Sequence, residues 1–269
     1  GSFVKGKLIL AMLILHMTTV QQLLKRSASF RRPAAATIKG WQYAIRGFEH
    51  KDASAIDEDF VIDRRIELLD RGYKSGYVRT QLGYCQAIWK WGIKTRTVTA
   101  NPWVGSLEGL EKGGKDYPFL PLSHYEKCGL TEHPLFMGLW YHGMRVEELC
   151  GLQPEDIFLD HEHPHFKIYP NNIRGIKNKP SRRQVPIHQD YERFIENFPF
   201  NTNPKAGDNF SRYMKRRCGH SAHGIRHHIT TRMRKARIEY SISASILGHT
   251  AQGMTANYGH ILLEDKYAQ

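Results

Sequence analysis

Acidic residues are scarce in this chain. Over 269 residues, 26 Asp and Glu stand against 39 Lys and Arg, a formal charge of +13. That excess is more than solubility needs, and it implies a polyanionic partner, either nucleic acid or an acidic membrane surface. Cysteine is scarce too. Cys85, Cys128, Cys150 and Cys218 lie far apart with no C-x-x-C pair, which argues against a disulfide framework or a zinc ribbon and fits a reducing cytosol. The apolar run Leu8 to Leu15 has only eight residues, far below the ~20 that a bilayer span requires. Lys5 and Lys7 precede it in the manner of a secretory signal, but no clear small-residue cleavage site follows. Residues 3–16 therefore read as part of a helix or as a remnant, and Gly1-Ser2 as a scar of tag removal. Internal repeats are lacking. Apolar residues are not: a hydrophobic share of 41% supplies a packed core and excludes wholesale disorder. The length fits one large domain or two modest ones.

Periodicity gives a helical first half. Between Thr37 and Phe48, the residues Ile38, Trp41, Ile45 and Phe48 form one stripe, with Lys39, Gln42 and Arg46 off it. A second helix spans Glu58 to Asp70 with Phe60, Ile62, Ile66 and Leu69 inward, stopped near Gly72. Ser75 is placed to cap a third, with Val78, Leu82, Cys85 and Trp89 inward and Gly92 near its end. Trp41, Trp89 and Trp91 at helical spacing read as core. Asn101-Pro102 ends this all-helical region, and the Gly- and charge-rich stretch 104–118 reads as a linker. Ser123 and Glu126 then fit a capping box that opens a second domain. An apolar helix from Leu135 to Trp140 follows. His165 to Tyr169 and Gln184 to Ile187 read as short strands joined by the basic turn Asn171 to Arg183, and helix resumes from Asn209.

The positive charge is concentrated. Residues 171–188 carry Arg174, Lys177, Lys179, Arg182 and Arg183 without an acid; residues 205–237 carry ten further cations against Asp208 alone. Solvated faces mix signs, whereas clusters this one-sided repel themselves unless phosphates neutralise them. His161, His163 and His165 alternate, but Pro164 and the surrounding loop read as an exposed turn rather than a metal site.

Four segments of the second half stand out together. They are His142-Gly-Met-Arg145-Val-Glu-Glu148-Leu-Cys-Gly-Leu152, Lys177 with the hairpin pattern Lys-x-Lys-x-Ser-Arg-Arg-x-Val-Pro, His223-Gly-Ile-Arg226-His-His, and Leu247-Gly-His249 followed by Tyr258. In order and spacing they resemble the tyrosine recombinases, the phage-integrase family. A lone H-x-x-R would mean little; five motifs in the family's order are specific. The resemblance implies a mainly α fold with a small β-hairpin or sheet. It implies a two-domain DNA clamp, with a helical core-binding domain over 34–103 and an α+β catalytic domain over 119–269. Residues 1–33 are then an N-terminal segment, from which an arm-binding domain was removed or never present.

The resemblance also implies a site-specific recombinase or integrase that works through a 3′-phosphotyrosyl intermediate. Neither metal, ATP nor any other cofactor enters. Double-stranded DNA carrying recombination sites is the partner, with four protomers on synapsed DNA, possible accessory DNA-bending proteins and no membrane. The setting is a bacterial or phage-encoded protein of the cytoplasm and nucleoid. Arg145 and Arg226 grip the phosphate, since guanidinium offers phosphate a planar fork of permanent charge. His249 adds a donor in the transition state. Tyr258 is the nucleophile, with His223 as its proton acceptor. Lys177 protonates the leaving 5′ oxygen, with Lys179 on the same hairpin as the alternative. Glu148, one turn from Arg145, holds that guanidinium. The cations expected on DNA are Lys39, Arg46, Arg79, Lys179, Arg182, Arg183, Arg212, Lys215 and Arg216. A type IB topoisomerase shares this covalent chemistry, and a silent DNA-binding protein and a metal-dependent nuclease are the other readings. Singly, each residue also has a plain role: an ion pair for Arg145, interior packing for the histidines and Tyr258.

Departures from the family pattern are His142, where many relatives carry Thr or a small residue, and Gly224. The short stretch after Tyr258 is a third. In the family that stretch often docks on a neighbouring protomer.

Overall fold

A computed structural model describes residues 17–114, 117–177, 179–249 and 263–267. The apolar run 8–15 lies outside them. The chain forms two compact units that divide between Lys115 and Asp116.

Among the described residues the first unit has four α-helices. α1 (Val20–Arg31) starts on a full capping box, in which Thr19 and Gln22 each accept the other's backbone N–H. α2 spans Ala35–Ala44, α3 Glu58–Asp70 and α4 Ser75–Lys94. α4 is the spine, with α1, α2 and α3 all packed on it. Its Val78, Leu82, Cys85, Ile88 and Trp89 are buried, so the stripe read from the sequence holds for this helix. The buried Ser27 hydroxyl donates to the Ile88 carbonyl.

Several local expectations are corrected. α2, expected to run to Phe48, ends at Ala44, because the chain turns through Gly47, whose φ of +94° is left-handed. Ile45 and Phe48 reach the core from that turn. On α3, Val61 and Leu68 are buried and Phe60 and Leu69 pack against the core, while Ile62 and Ile66 are about half exposed. Arg64 and Arg65 occupy the inward side between them: Arg64 lies over the Phe48 ring and Arg65 donates to the Ser106 carbonyl. Their aliphatic stems cover apolar surface, which hides the true stripe from a count of apolar residues. Ser75 is the first helical residue, and Lys74 stands at the cap. α1 belongs to this unit's core through Val20, Leu23 and Leu24. The stretch after Pro102 is also packed. Trp103 and Leu110 are buried, and Arg79 donates to the carbonyls of Leu107 and Leu110.

The second unit is α+β. α5 (Leu122–Lys127) follows Pro121 as its cap, and Ser123 makes no capping bond. α6 (Pro134–His142) is apolar on nearly every side, with Phe136, Met137, Leu139 and Trp140 buried. α7 spans Val146–Cys150. A three-stranded antiparallel sheet comprises β1 (Ile157–Phe158), β2 (His165–Ile168) and β3 (Arg183–Pro186) in that order, with Phe166 paired to Val185. After α8 (Glu192–Ile195) come α9 (Ala206–Cys218), α10 (Ala222–Lys235), α11 (Tyr240–Leu247) and α12 (Leu263–Tyr267). α6 packs on α7 and α10, and α11 and α12 both pack on β3. The small sheet thus holds the end of α11, where His249 follows. No helix among the described residues is long and apolar enough to cross a membrane.

Candidate active site

The site begins where α6 stops. Gly143 takes a left-handed φ of +59° at the end of α6, and a Cβ there would meet Leu247 and Ile229 within 3.0 Å. Glycine therefore lets the chain turn tightly against α10 and α11 and enter α7 at Arg145. Glu148, at the third position of α7, accepts the Arg145 backbone N–H at 3.0 Å and its Nη1 at 2.7 Å. Arg183 supplies two more donors to the same carboxylate, at 3.1 and 2.8 Å. All four acceptor positions of the carboxylate are filled. Burial works to raise the Glu148 pKa, but the bonds and charges of Arg183 and Arg145 outweigh it and hold the group below its usual range.

Three guanidinium groups converge on the end of α11. Arg183 Nε donates to the Ile246 carbonyl at 2.6 Å, Arg226 Nη2 to Leu247, and Arg145 Nη2 to Gly248 at 3.0 Å. These are the last, unpaired carbonyls of a helix, where the macrodipole is negative and cations are favoured. Arg226 also donates to the Gly143 carbonyl at 2.6 Å, so it ties the two left-handed turns together. Burial and the nearby Arg145 bring its pKa down to about 10, still charged at neutral pH. Arg145 Nη1 also donates to Ser181 Oγ at 3.1 Å; with five N–H donors per guanidinium, Arg145 retains two and Arg226 three beyond their bonds among the described residues.

Arg145, Lys177, His223 and Arg226 line one cavity of about 500 Å³, with Ser221 and Gly175 at its wall. His223 hydrogen-bonds His227 at 3.2 Å, and His227 stacks on Tyr117 at 4.5 Å. Desolvation, then His227, Arg226 and Lys177, hold the His223 pKa below its usual value. Partial desolvation with the charges of Arg226, Arg145 and Arg183 pushes His249 down to about 4. Both imidazoles are therefore neutral at pH 7. The cavity is an electropositive basin with one buried carboxylate beneath it, suited to an anion.

Tyr258 lies outside the described residues, as does the Lys179 side chain. Lys177 is exposed at the cavity rim. Of the cations expected on DNA, Lys39, Arg46, Arg182, Arg212, Lys215 and Arg216 are exposed. Two others are corrected. Arg79 is spent on carbonyls of its own unit, as described above. Arg183 is buried beneath the site, its side chain 4% exposed, because β3 alternates and Arg183 shares the inward face with Val185. That alternation was the available signal. Arg174, also within the basic turn, is buried and pairs with Asp156 at 3.1 Å. The concentration of charge in 171–188 is thus partly an interior scaffold. Ser181, which meets Arg145 Nη1 at 3.1 Å, and His227 lie within the quoted motifs but were given no role from the sequence. His161 and His163 lie in the turn between β1 and β2, and His165 opens the central strand, buried, where it stacks on Phe158 and its Nδ1 meets the His163 carbonyl.

Neither a family model nor a curated protein sequence matches the chain. Solved structures do. The Tn1549 transposon integrase in complex with circular intermediate DNA aligns with a TM-score of 0.66 at 16% identity, covering 93% of this chain and 98% of that one. A lambda integrase tetramer bound to a Holliday junction aligns with a TM-score of 0.65 at 14% identity, covering 92% and 81%. A lambda integrase dimer bound to a COC′ core site, spanning its residues 75–356, gives 0.65 at 15%, covering 91% and 100%. At such identities the likeness speaks for fold, and the fold of this chain is that of the transposon and lambda integrases, which are tyrosine recombinases.

Proposed function

We propose that the protein is a site-specific DNA recombinase or integrase that cleaves and rejoins strands through Tyr258. The observation that carries this reading is the convergence of Arg145, Lys177, His223 and Arg226 on one basin beside His249. In-line attack on a phosphodiester builds charge on the non-bridging oxygens. The free N–H donors of Arg145 and Arg226 are preset for that charge, which is where electrostatic catalysis gains most. Tyr258 Oη attacks phosphorus as the bond to the 5′ oxygen breaks; His223, neutral at pH 7, takes the phenol proton, and Lys177 gives one to the leaving 5′ oxygen. His249 donates to the phosphoryl oxygen in the transition state. Attack by a partner strand's 5′ hydroxyl reverses the sequence and frees the tyrosine, so bond energy is kept and neither ATP nor metal is consumed.

Double-stranded DNA is the partner, with the helical first unit in the core-binding role and the second unit in the catalytic one. Four protomers gather on two synapsed sites, with DNA-bending proteins as accessories. The reaction belongs to the cytoplasm and nucleoid. Lys39, Arg46, Arg182, Arg212, Lys215 and Arg216 supply phosphate contacts, a sequence-independent share of the affinity.

A nicked suicide duplex carrying a candidate attachment site, incubated in EDTA and resolved on a denaturing gel, tests this. The expected result is a covalent protein–DNA band in the wild type that is absent in Tyr258→Phe. A band that persists in Tyr258→Phe removes Tyr258 as nucleophile. Tight binding with no band from either protein favours a binder without catalysis, and strict dependence on magnesium favours a metal nuclease.

A further inference from the structure

Arg183 is buried beneath the site, and its guanidinium is engaged by the protein itself. Four of its bonds are made inside the protein: Nη1 and Nη2 to Glu148, Nη1 to the Ser181 carbonyl at 2.9 Å, and Nε to the Ile246 carbonyl at 2.6 Å. A buried ion pair is by itself weak evidence of stabilisation, because desolvation offsets the attraction. What distinguishes this one is where its acceptors lead. The other two bonds of Glu148 go to Arg145, and Ile246 lies three residues before His249. Between them, Gly248 turns with φ +66°, and a Cβ there would fall 2.9 Å from Arg183 Nη1. The left-handed turn that delivers His249 is folded directly over this guanidinium.

We propose that Arg183 is a positioning residue, which sets the Arg145 guanidinium through Glu148 and the His249 backbone through Ile246, so that both are fixed relative to one another before phosphate arrives. The inference rests on the reading of the site as a strand-transfer centre. Only a guanidinium spans both acceptors, since a lysine is a point charge without the planar fork. Pre-organisation of this kind is what a preset site requires of its supporting residues.

The test uses the full chain carrying Arg183→Met, Arg183→Lys, Glu148→Gln, and the Arg183→Met/Glu148→Gln pair. Circular dichroism and melting establish folding. Single-turnover formation of the covalent complex on the suicide duplex gives the rate, filter binding the DNA affinity, and NMR the titration of the His249 imidazole. In Arg183→Met the rate should fall roughly 100-fold, the scale of an ångström's misplacement, with affinity changed less than about threefold, since the residue touches no phosphate. The His249 titration should move upward, because one of the cations that depress it is gone. Arg183→Lys should restore the titration but not the rate. The double variant should lose little beyond either single one, as for residues acting through one network.

A lower melting temperature with wild-type rate and titration below the transition would make Arg183 an ordinary ion pair and overturn the inference. So would additive losses in the double variant. Should Arg183→Met not fold, an unchanged rate in Arg183→Lys overturns it as well. If the wild type forms no covalent complex, the functional reading fails, and an unmoved His249 titration in Arg183→Met and Glu148→Gln then rejects the positioning role separately.

Discussion

The two units bury different things. Among the described residues, the first buries an apolar and aromatic core around Trp41, Trp89 and Trp103, with only Ser27 and Ser106 as polar company. The second buries Glu148, Asp156, Arg174, Arg183 and Arg226 together with His142, His165 and His228. Apolar burial stabilises in proportion to area, while each buried charge must recover its desolvation cost from well-placed partners. The first unit is therefore organised for stability. The second gives up stability to hold charged groups in fixed positions, the usual trade at a functional site.

The sharpest way to break this comparison is to remove the shared carboxylate. Glu148→Ala leaves the buried Arg183 and the half-buried Arg145 without their carboxylate, and the second unit should lose about 3–5 kcal/mol, read by denaturant unfolding. Native-state hydrogen exchange should localise the loss to α6, α7 and β3 and leave α4 protected. In the first unit, Leu82→Ala should cost about 3 kcal/mol through transfer and cavity terms alone. That loss should be independent of pH and salt; a pH-dependent loss there would contradict the contrast drawn between the units.

A third effect concerns His142. It is fully buried, with Nδ1 toward the Gly138 carbonyl and Nε2 accepting the His188 N–H at 3.1 Å. Burial pushes its pKa down to about 3. A histidine held neutral by the fold takes up its proton on unfolding, so its contribution is complete above the unfolded value near 6.5 and is lost as pH falls towards 3. Between pH 6.5 and 5 the second unit should weaken by about 2 kcal/mol on this account. His142→Gln, which keeps a donor and an acceptor, should flatten that slope in urea melts at the two pH values. The departure at position 142 is thus a packed, neutral element of the core.

The smallest effects belong to the exposed cations. Lys39→Ala and Lys215→Ala should change stability by less than about 0.5 kcal/mol. Each should reduce the slope of log K against log salt for DNA binding by about one if it meets a phosphate. Arg79→Ala sharpens this point. Its donors go to Leu107 and Leu110, so it should destabilise the first unit while leaving the salt slope unchanged.

Some of this was legible in the sequence because local rules carry it. The stripe on α4, the bounds of α3 and the pairing of Glu148 with Arg145 follow from helical spacing alone. The strand pair around Phe166 and Val185 follows from alternation. Where reading failed, the cause was a side chain with two characters. Arg64 and Arg65 turn aliphatic stems inward on α3, so the stripe of Ile62 and Ile66 misleads. Arg174 and Arg183 count as surface charge in any composition, yet both are interior. The packing of α1 was hidden for another reason: α1 lies far in sequence from its partner α4, which it meets through the Ser27 to Ile88 bond and shared packing.

The sequence by itself determined the stripe of α4, the bounds of α3, the excess of positive charge and the residue types that suit an anion, since periodicity, composition and motif spacing are local properties. Tertiary structure alone decided which positive charges face solvent and which are walled in. A guanidinium looks the same in sequence whether it will meet a phosphate or a carboxylate. Only the folding of β3 against α7 and the end of α11 gave Arg183 its carboxylate and left Arg145 and Arg226 with donors to spare.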